Sequence, residues 1–292
     1  MELAYREFEA AGDFLLVTGA FLKSDPVLNG LMLGVAERLV KDPRAYGGLP
    51  PYFGVVEYSG GIELAALMTP PHRLQLLSSS AECPAEGVRL LASRLHAGKR
   101  PVPGVLARRD LGECFGAAWS ALTGGAFAVG IRQRVHELRR VNALPPPPGR
   151  LLAATAADLD LVLRWGREFH AECFGNDAAS PDNSEKTIRS LTDSGRLFLW
   201  HDGRPRSMAA RARPVADGES ISYVYTPPAE RGRGYATAAV AGLASLILSE
   251  GKAFCSLYTD LANPTSNKIY RRIGFMPRAD VVNVDFKAAV SS

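Results

Sequence analysis

The chain has 292 residues, a net charge of +4 and 47% hydrophobic residues, which suits two ordinary folded domains and excludes a disordered or fibrous chain. Its start, Met1-Glu2-Leu3-Ala4, lacks the basic run and apolar stretch of a secretory leader, and Glu37 and Arg38 interrupt the early apolar residues. No segment reaches the roughly 18 apolar residues of a membrane span, so a cytoplasmic location and no membrane partner are expected.

In chain order, residues 15–22 and 27–40 carry apolar residues at helical spacing. Residues 53–58 and 62–68 flank the turn Ser59-Gly60-Gly61 as two strands, and 74–77 reads as a third. A helix over 87–96, a strand over 104–107, a helix over 111–122 and a strand over 127–135 complete the series. Pro145-Pro146-Pro147-Pro148-Gly149 then ends regular structure, because proline has no amide donor and fixes its own φ. The expected division is a first domain over 1–144, a linker over 145–150 and a second domain over 151–292.

Beyond the linker, Leu159, Leu161, Val162, Trp165 and Phe169 mark one helix, and 184–192 a second. Leu197-Phe198-Leu199-Trp200 is a buried strand, turned by His201-Asp202-Gly203-Arg204 into a strand over 206–214. A further turn leads to the strand 221–226, then a glycine-rich loop, a helix over 236–249, a strand over 253–259, a helix over 264–273 and a strand over 281–286. The order helix, helix, three strands, helix, strand, helix, strand therefore occurs twice, which points to an internal duplication of fold. The fold class expected is α/β (α+β): two tandem domains, each a mixed, mostly antiparallel twisted sheet flanked by helices.

Cys83, Cys114, Cys173 and Cys255 show no C-x-x-C spacing, and the five histidines form no i,i+4 pair with an acid, so neither a metal nor a disulfide framework is expected. The small positive charge is spread among arginines without a basic stripe or interleaved aromatics. The alternating arginines of 204–213 read as a solvated strand face, and no nucleic-acid partner is expected.

The chemistry concentrates in Arg231-Gly232-Arg233-Gly234-Tyr235-Ala236, between a strand and a long helix. A glycine-rich turn that opens a helix aims backbone amides at one point, where the helix dipole favours an anion. Glycine keeps side chains out of the ligand's way and permits positive φ. The spacing fits neither a P-loop nor G-x-G-x-x-G, so ATP and dinucleotides are poor candidates.

The run from Thr226 to Ala236 resembles the pyrophosphate-binding motif of the GNAT acetyltransferases, R/Q-x-x-G-x-G/A after a strand. The run from Asn263 through Tyr270 to Gly274-Phe275 resembles their second signature. The resemblance covers the C-terminal half. It implies acetyl-CoA as co-substrate, with Arg231, Gly232, Arg233, Gly234, Tyr235 and Ala236 at the pyrophosphate. Backbone groups of Val224, Tyr225 and Thr226 would pair with the pantetheine arm, and Asn263 and Asn267 would contact it. Tyr270 matches the proton donor to the departing thiolate; the alternative is a tyrosine that only shapes the pocket. Asn263 and Asn267 can equally be a helix cap and a surface residue.

For the base that takes the amine's proton, Glu219 is the first candidate, with Glu172, His170 and water as alternatives. No cysteine is evident beside the loop, so direct attack in a ternary complex is expected rather than an acyl-enzyme. The N-terminal half lacks both signatures: Thr69-Pro70-Pro71 is followed by His72-Arg73-Leu74 instead of glycines. It is read as a degenerate copy that shapes the acceptor site or an interface. The expected function is transfer of an acetyl group to a primary amine, on a small molecule or peptide. The alternatives are a longer acyl group passed to an amino acid, or a non-catalytic acyl-CoA sensor. A homodimer is compatible with this reading.

Overall fold

The computed structural model describes residues 2–174 and 181–287. The first ten elements are β1 (Leu3–Phe8), α1 (Ala11–Ser24), α2 (Pro26–Lys41), β2 (Tyr52–Tyr58), β3 (Gly61–Met68), β4 (Leu74–Ser78), α3 (Ala85–Ala97), β5 (Gly104–Arg108), α4 (Arg109–Thr123) and β6 (Ala126–Leu138). Ten more follow in the same order: β7 (Arg150–Ala153), α5 (Leu159–Phe174), α6 (Pro181–Asp193), β8 (Leu197–Asp202), β9 (Arg204–Val215), β10 (Gly218–Tyr225), α7 (Tyr235–Ser249), β11 (Cys255–Asp260), α8 (Pro264–Ile273) and β12 (Met276–Lys287). The expected duplication and fold class are the ones observed. Two strands escape the sequence reading: β1 breaks its apolar residues with Arg6 and Glu7, and β7 has four residues. Neither carries the apolar run that marks a buried strand.

Two compact units result. The first holds the chain up to Val135, Asp260–Ala262 and the chain from Arg278; the second holds His136–Thr259 and Asn263–Pro277. In the first, the strand order is β1-β2-β3-β4-β5-β12 with β6 next to β12, and β4/β5 is a parallel pair. Alternation along β2 sends Phe53 and Val55 to a core with Phe14, Leu22 and Met32 of α1 and α2. Tyr52 and Val56 go to the opposite core, with Leu91 of α3, Phe115 and Trp119 of α4, and Val282 and Val284 of β12. The chain's last strand thus completes the core of the first unit, paired antiparallel with β5 from Val281↔Arg108 to Asp285↔Gly104.

The second unit is ordered β11-β10-β9-β8-β7, with β10/β11 the parallel pair. Phe198 and Trp200 of β8 face α7 and α8 through a core that includes Leu243, Ile247, Phe275 and, from the end of β6, Leu138. Leu197 and Leu199 face α5 and α6 with Val162, Trp165 and Ile188. Ends are set locally. Asn263 caps α8 by accepting from the Ser266 amide at 3.1 Å, Pro264 opens it, and Gly274 at φ 116° closes it in the left-handed conformation only glycine adopts freely. No helix among the described residues is long and apolar enough to cross a membrane.

Candidate functional site

The site forms where β10 parts from β11. Their parallel pairing is at Glu219↔Cys255 and Ser220↔Ser256, whereas β10 runs on to Tyr225 and β11 to Asp260. On its other side β10 slips register against β9 between Ser222 and Tyr225, a bulge in which Tyr223 has φ 51°. A tyrosine held at positive φ is a costly conformation of the kind that gathers at functional sites. The bulge also switches faces. Ile221 packs in the α7/α8 core, but Tyr223 and Tyr225, of the same parity, pack toward α5 and α6. Backbone polar groups along this free stretch are open to an extended ligand lying beside the strand.

The loop after β10 delivers the amides. A 3-10 turn, Pro228–Glu230, leads to Arg231; Gly232 and Gly234 then take φ 78° and 85°, and α7 starts at Tyr235. No atom lies within 4 Å of where a Gly232 Cβ would stand, so the glycine there serves the backbone angle and the open approach rather than packing. The first amides of α7 have no acceptor inside the helix. Gly232, Arg233, Gly234, Tyr235 and Ala236 thus line a cradle suited to an anion.

Electrostatics favour the same ligand. Buried Glu230 accepts from Arg204 at 2.7 Å and Arg206 at 2.8 Å and reaches Arg233 at 3.4 Å, so one carboxylate answers three guanidiniums. Burial works against the ionised form of Glu230, but Arg206, Arg204 and Arg233 outweigh it and hold its carboxyl below the usual range. The Tyr235 hydroxyl donates to Asp202 at 2.7 Å and its ring lies 5.8 Å from the Arg206 guanidinium, which pins the start of α7 to the β8–β9 hairpin. Arg231 turns to α5 instead. It donates to both oxygens of Glu172 at 2.7 and 2.8 Å and to the Thr226 carbonyl at 2.9 Å, and its guanidinium lies 5.7 Å from the centre of the Tyr225 ring. Of the expected pyrophosphate residues, Arg231 is therefore a strap on the loop. Beside it a cavity of about 790 Å³ is walled by Trp165, Glu168, Glu172, Tyr225 and Pro227. Burial first, then Glu168, pushes the Tyr225 phenol up to about 12.

Tyr270 is buried in the α7/α8 core with its ring 5.8 Å from that of Phe275. Burial, then the nearby Cys173, pushes its phenol well above the usual range, so it stays protonated. Cys173, at the end of α5 and exposed, is a neighbour that the sequence does not reveal. Both asparagines have structural duties. Besides the cap made by Asn263, Asn267 accepts from the Thr259 hydroxyl at 2.7 Å and donates to the Asn263 carbonyl at 2.8 Å, tying α8 to β11. Of the three strand residues, the Tyr225 carbonyl already accepts from Ser207 at 2.9 Å, and the Thr226 hydroxyl donates to Ser207 at 2.8 Å. Val224, next to the bulge, is the one placed for an external partner.

Glu219 is corrected. It lies at the paired, closed end of β10, 1% exposed, bound by Arg196 and by Arg211 Nε at 2.8 Å. A carboxylate held by two guanidiniums in the interior is an ion-pair anchor and a poor base, and Arg211 extends the network to Glu250 at 2.7 Å. Glu172 is likewise committed, to Arg231. Sequence reasoning missed Glu230, Asp202 and Glu168. Glu230 carried a signal, an acid set among the arginines it serves, whereas Asp202 and Glu168 meet their tyrosines only through folding. Among the described residues, no three His, Cys, Asp or Glu side chains gather as metal ligands.

Residues 201–283 match the model of the FR47-like protein family. No curated protein matches the chain. Solved structures do, along nearly the whole length. A GCN5-related N-acetyltransferase from Sphaerobacter thermophilus is similar with a TM-score of 0.62 at 15% identity, over 99% of this chain and 96% of its own. A GNAT-family acetyltransferase from Colwellia psychrerythraea gives 0.60 at 14%, over 97% and 100%. A tandem GNAT protein from the clavulanic acid biosynthesis pathway gives 0.55 at 15%, over 100% of both chains. The fold is that of a tandem GNAT protein. The family match spans β10, the glycine loop and α7.

Proposed function

We propose that this tandem GNAT protein transfers an acetyl group from acetyl-CoA to a primary amine by direct attack, using the second unit alone. The observation that carries the reading is the parting of β10 from β11 beside the Gly232–Gly234 cradle: a slot for an extended arm that ends on amides placed for a pyrophosphate. The residues present fit that donor. Two positive-φ glycines leave the cradle open, and Arg233 adds charge at its edge. The bound donor supplies an acyl group on a thioester.

This chain's residues bind, orient and protonate. The amides from Gly232 to Ala236 hold the pyrophosphate, and the bulge at Tyr223 presents the Val224 backbone to the arm and the acyl carbonyl. The Tyr270 hydroxyl holds the proton that the leaving thiolate needs, and its raised pKa keeps that proton in place at neutral pH. With Glu219 and Glu172 both bound to arginine, the amine's proton leaves to solvent. The first unit binds no donor and serves as a structural partner.

The test is turnover, followed by thiol release from acetyl-CoA over a panel of amines. Wild type should turn over, and Tyr270→Phe should lose roughly 10²-fold in kcat with acetyl-CoA affinity unchanged. An unaltered kcat would remove Tyr270 from the mechanism. Binding of acetyl-CoA without turnover on any amine would leave an acyl-CoA sensor.

A further inference from the structure

The first unit carries a pair of thiols that no step of the proposed reaction uses. Cys83 stands in the connection from β4 to α3 and Cys114 on α4, well separated in sequence and without C-x-x-C spacing. Folding brings them together at the start of α4. The Arg108 guanidinium donates to the Ala81 carbonyl at 2.7 Å and to both oxygens of Asp110 at 2.9 Å, which lashes the connection to the first turn of α4. Cys114 follows Asp110 by four residues and so lies one turn further along the same face of the helix. The connection is also held from within: the Ser80 amide donates to the Ser78 hydroxyl at 3.1 Å and the Glu82 amide to the Ser80 hydroxyl at 3.2 Å. Both cysteines pack on the core that holds Leu91 and Phe115, and the Cys83 thiol hydrogen-bonds to Cys114. Both are also partly exposed, whereas Cys255 is fully buried and Cys173 belongs to the second unit.

We propose that Cys83 and Cys114 form a redox-responsive staple of the first unit, closed to a disulfide by a small disulfide oxidant such as oxidised glutathione and reopened by thiols. It stands apart from acetyl transfer and does not depend on it. Two sulfurs in hydrogen-bonding contact have only about 2 Å to close before they reach bonding distance. The chemistry balances in two exchanges. Burial, then the bond to Cys114, pushes the Cys83 thiol up to about 12, so Cys83 keeps its proton and Cys114 attacks first. The Cys114 sulfur gives its proton to solvent and bonds to one sulfur of the oxidant; the other sulfur leaves as a glutathione thiolate and takes up a proton. The Cys83 sulfur then bonds to the Cys114 sulfur and breaks the mixed disulfide, and its proton is matched by the one that the second glutathione takes up. Two protein thiols are oxidised and one glutathione disulfide is reduced to two thiols. The new bond closes the segment that holds α3 and β5, which restricts the unfolded chain and favours the folded first unit.

The experiment treats the full chain with excess oxidised glutathione, blocks remaining thiols by alkylation, and maps the peptides by mass spectrometry alongside a thermal melt. Wild type should yield a peptide pair joined through Cys83 and Cys114, lighter by two hydrogens than the two thiol peptides and separated again by dithiothreitol. The melting midpoint of the first unit should rise by roughly 5 °C or more on oxidation. Cys83→Ala and Cys114→Ala should each abolish both the link and the rise, and Cys173→Ala should abolish neither. Under reducing conditions the variants should melt close to wild type, which verifies that they fold. Oxidised wild type whose Cys83 and Cys114 still take the alkylating agent, or carry glutathione without joining, would overturn the proposal. So would a link that leaves the midpoint unchanged, because the bond would then staple nothing.

Discussion

The two units run through the same elements in the same order, yet the second opens its parallel pair further. In the first, β4 is five residues long and three of them, Leu74 to Leu76, pair with β5. In the second, β10 bulges at Tyr223 and continues past its last rung with β11. The connections differ in the same sense. Residues 79–84 reach α3 without a glycine and end on Pro84, which has no amide to offer, whereas Gly232 and Gly234 hand α7 its free amides. Charge completes the contrast. Three arginines surround Glu230 beside α7, while at the first turn of α3 a Cβ on Gly87 would meet the carboxylate of Glu63. A helix start already faced by a carboxylate repels a phosphate; one ringed by guanidiniums draws it in. One fold thus serves as a binding site or as a scaffold according to one bulge, two glycines and the sign of a few side chains.

The largest expected effect that breaks this contrast is at the cradle. Gly234→Arg forces a side chain onto a φ of 85° and into the anion's place, so acetyl-CoA should no longer raise the second unit's melting point. Wild type at about 100 times Kd should gain roughly 2.7 kcal/mol, a shift of several degrees by scanning calorimetry. An equal shift in the variant would remove the cradle from the site.

Next in size is the last strand. Val284, fully buried in the first unit's core, should cost roughly 1–3 kcal/mol as Val284→Ala, read as a lower denaturation midpoint. A chain ending before Arg278 should lose the first unit altogether, since β5 would lose its antiparallel neighbour and the core would lose Val282 and Val284. If that truncated chain kept the native far-UV and near-UV spectra, the assignment of β12 to the first unit would be wrong.

Glu219→Gln sharpens the correction made above: stability should fall because Arg196 and Arg211 lose their counter-charge, while any pH dependence of turnover should stay as in wild type. A change in the pH–rate profile would return Glu219 to the chemistry. Cys173→Ala should leave turnover within about twofold, as direct attack requires; a loss near that of Tyr270→Phe would indicate an acyl-enzyme.

The smallest effect is at Glu63. Burial, then Glu86, raises its pKa, so its ionisation opposes folding. A raised carboxyl costs nothing at acid pH and destabilises as pH climbs through the shifted value. Glu63→Gln should therefore raise the melting point at pH 8 more than at pH 4, and an equal rise at both would mean that charge plays no part.

Much of this was legible in the residues. Periodicity located the helices, and the resemblance of Arg231–Ala236 and Asn263–Phe275 to the two GNAT signatures pointed to the glycine loop and to Tyr270. What was not legible depends on distant partners. Nothing in Val281 to Asp285 says that they pair with Gly104 to Arg108, since an apolar strand pattern names no neighbour. The burial of Glu219 was hidden because its two arginines stand 23 and 8 residues away. Arg231 matched the phosphate motif by position but found Glu172 across the fold.

The most direct test of the central claim is the stoichiometry of acetyl-CoA binding to the full chain by titration calorimetry. We predict one site per chain, abolished by Gly234→Arg. Two sites per chain, or a single site that survives Gly234→Arg, would contradict the account, because donor binding would then lie in the unit described here as a scaffold.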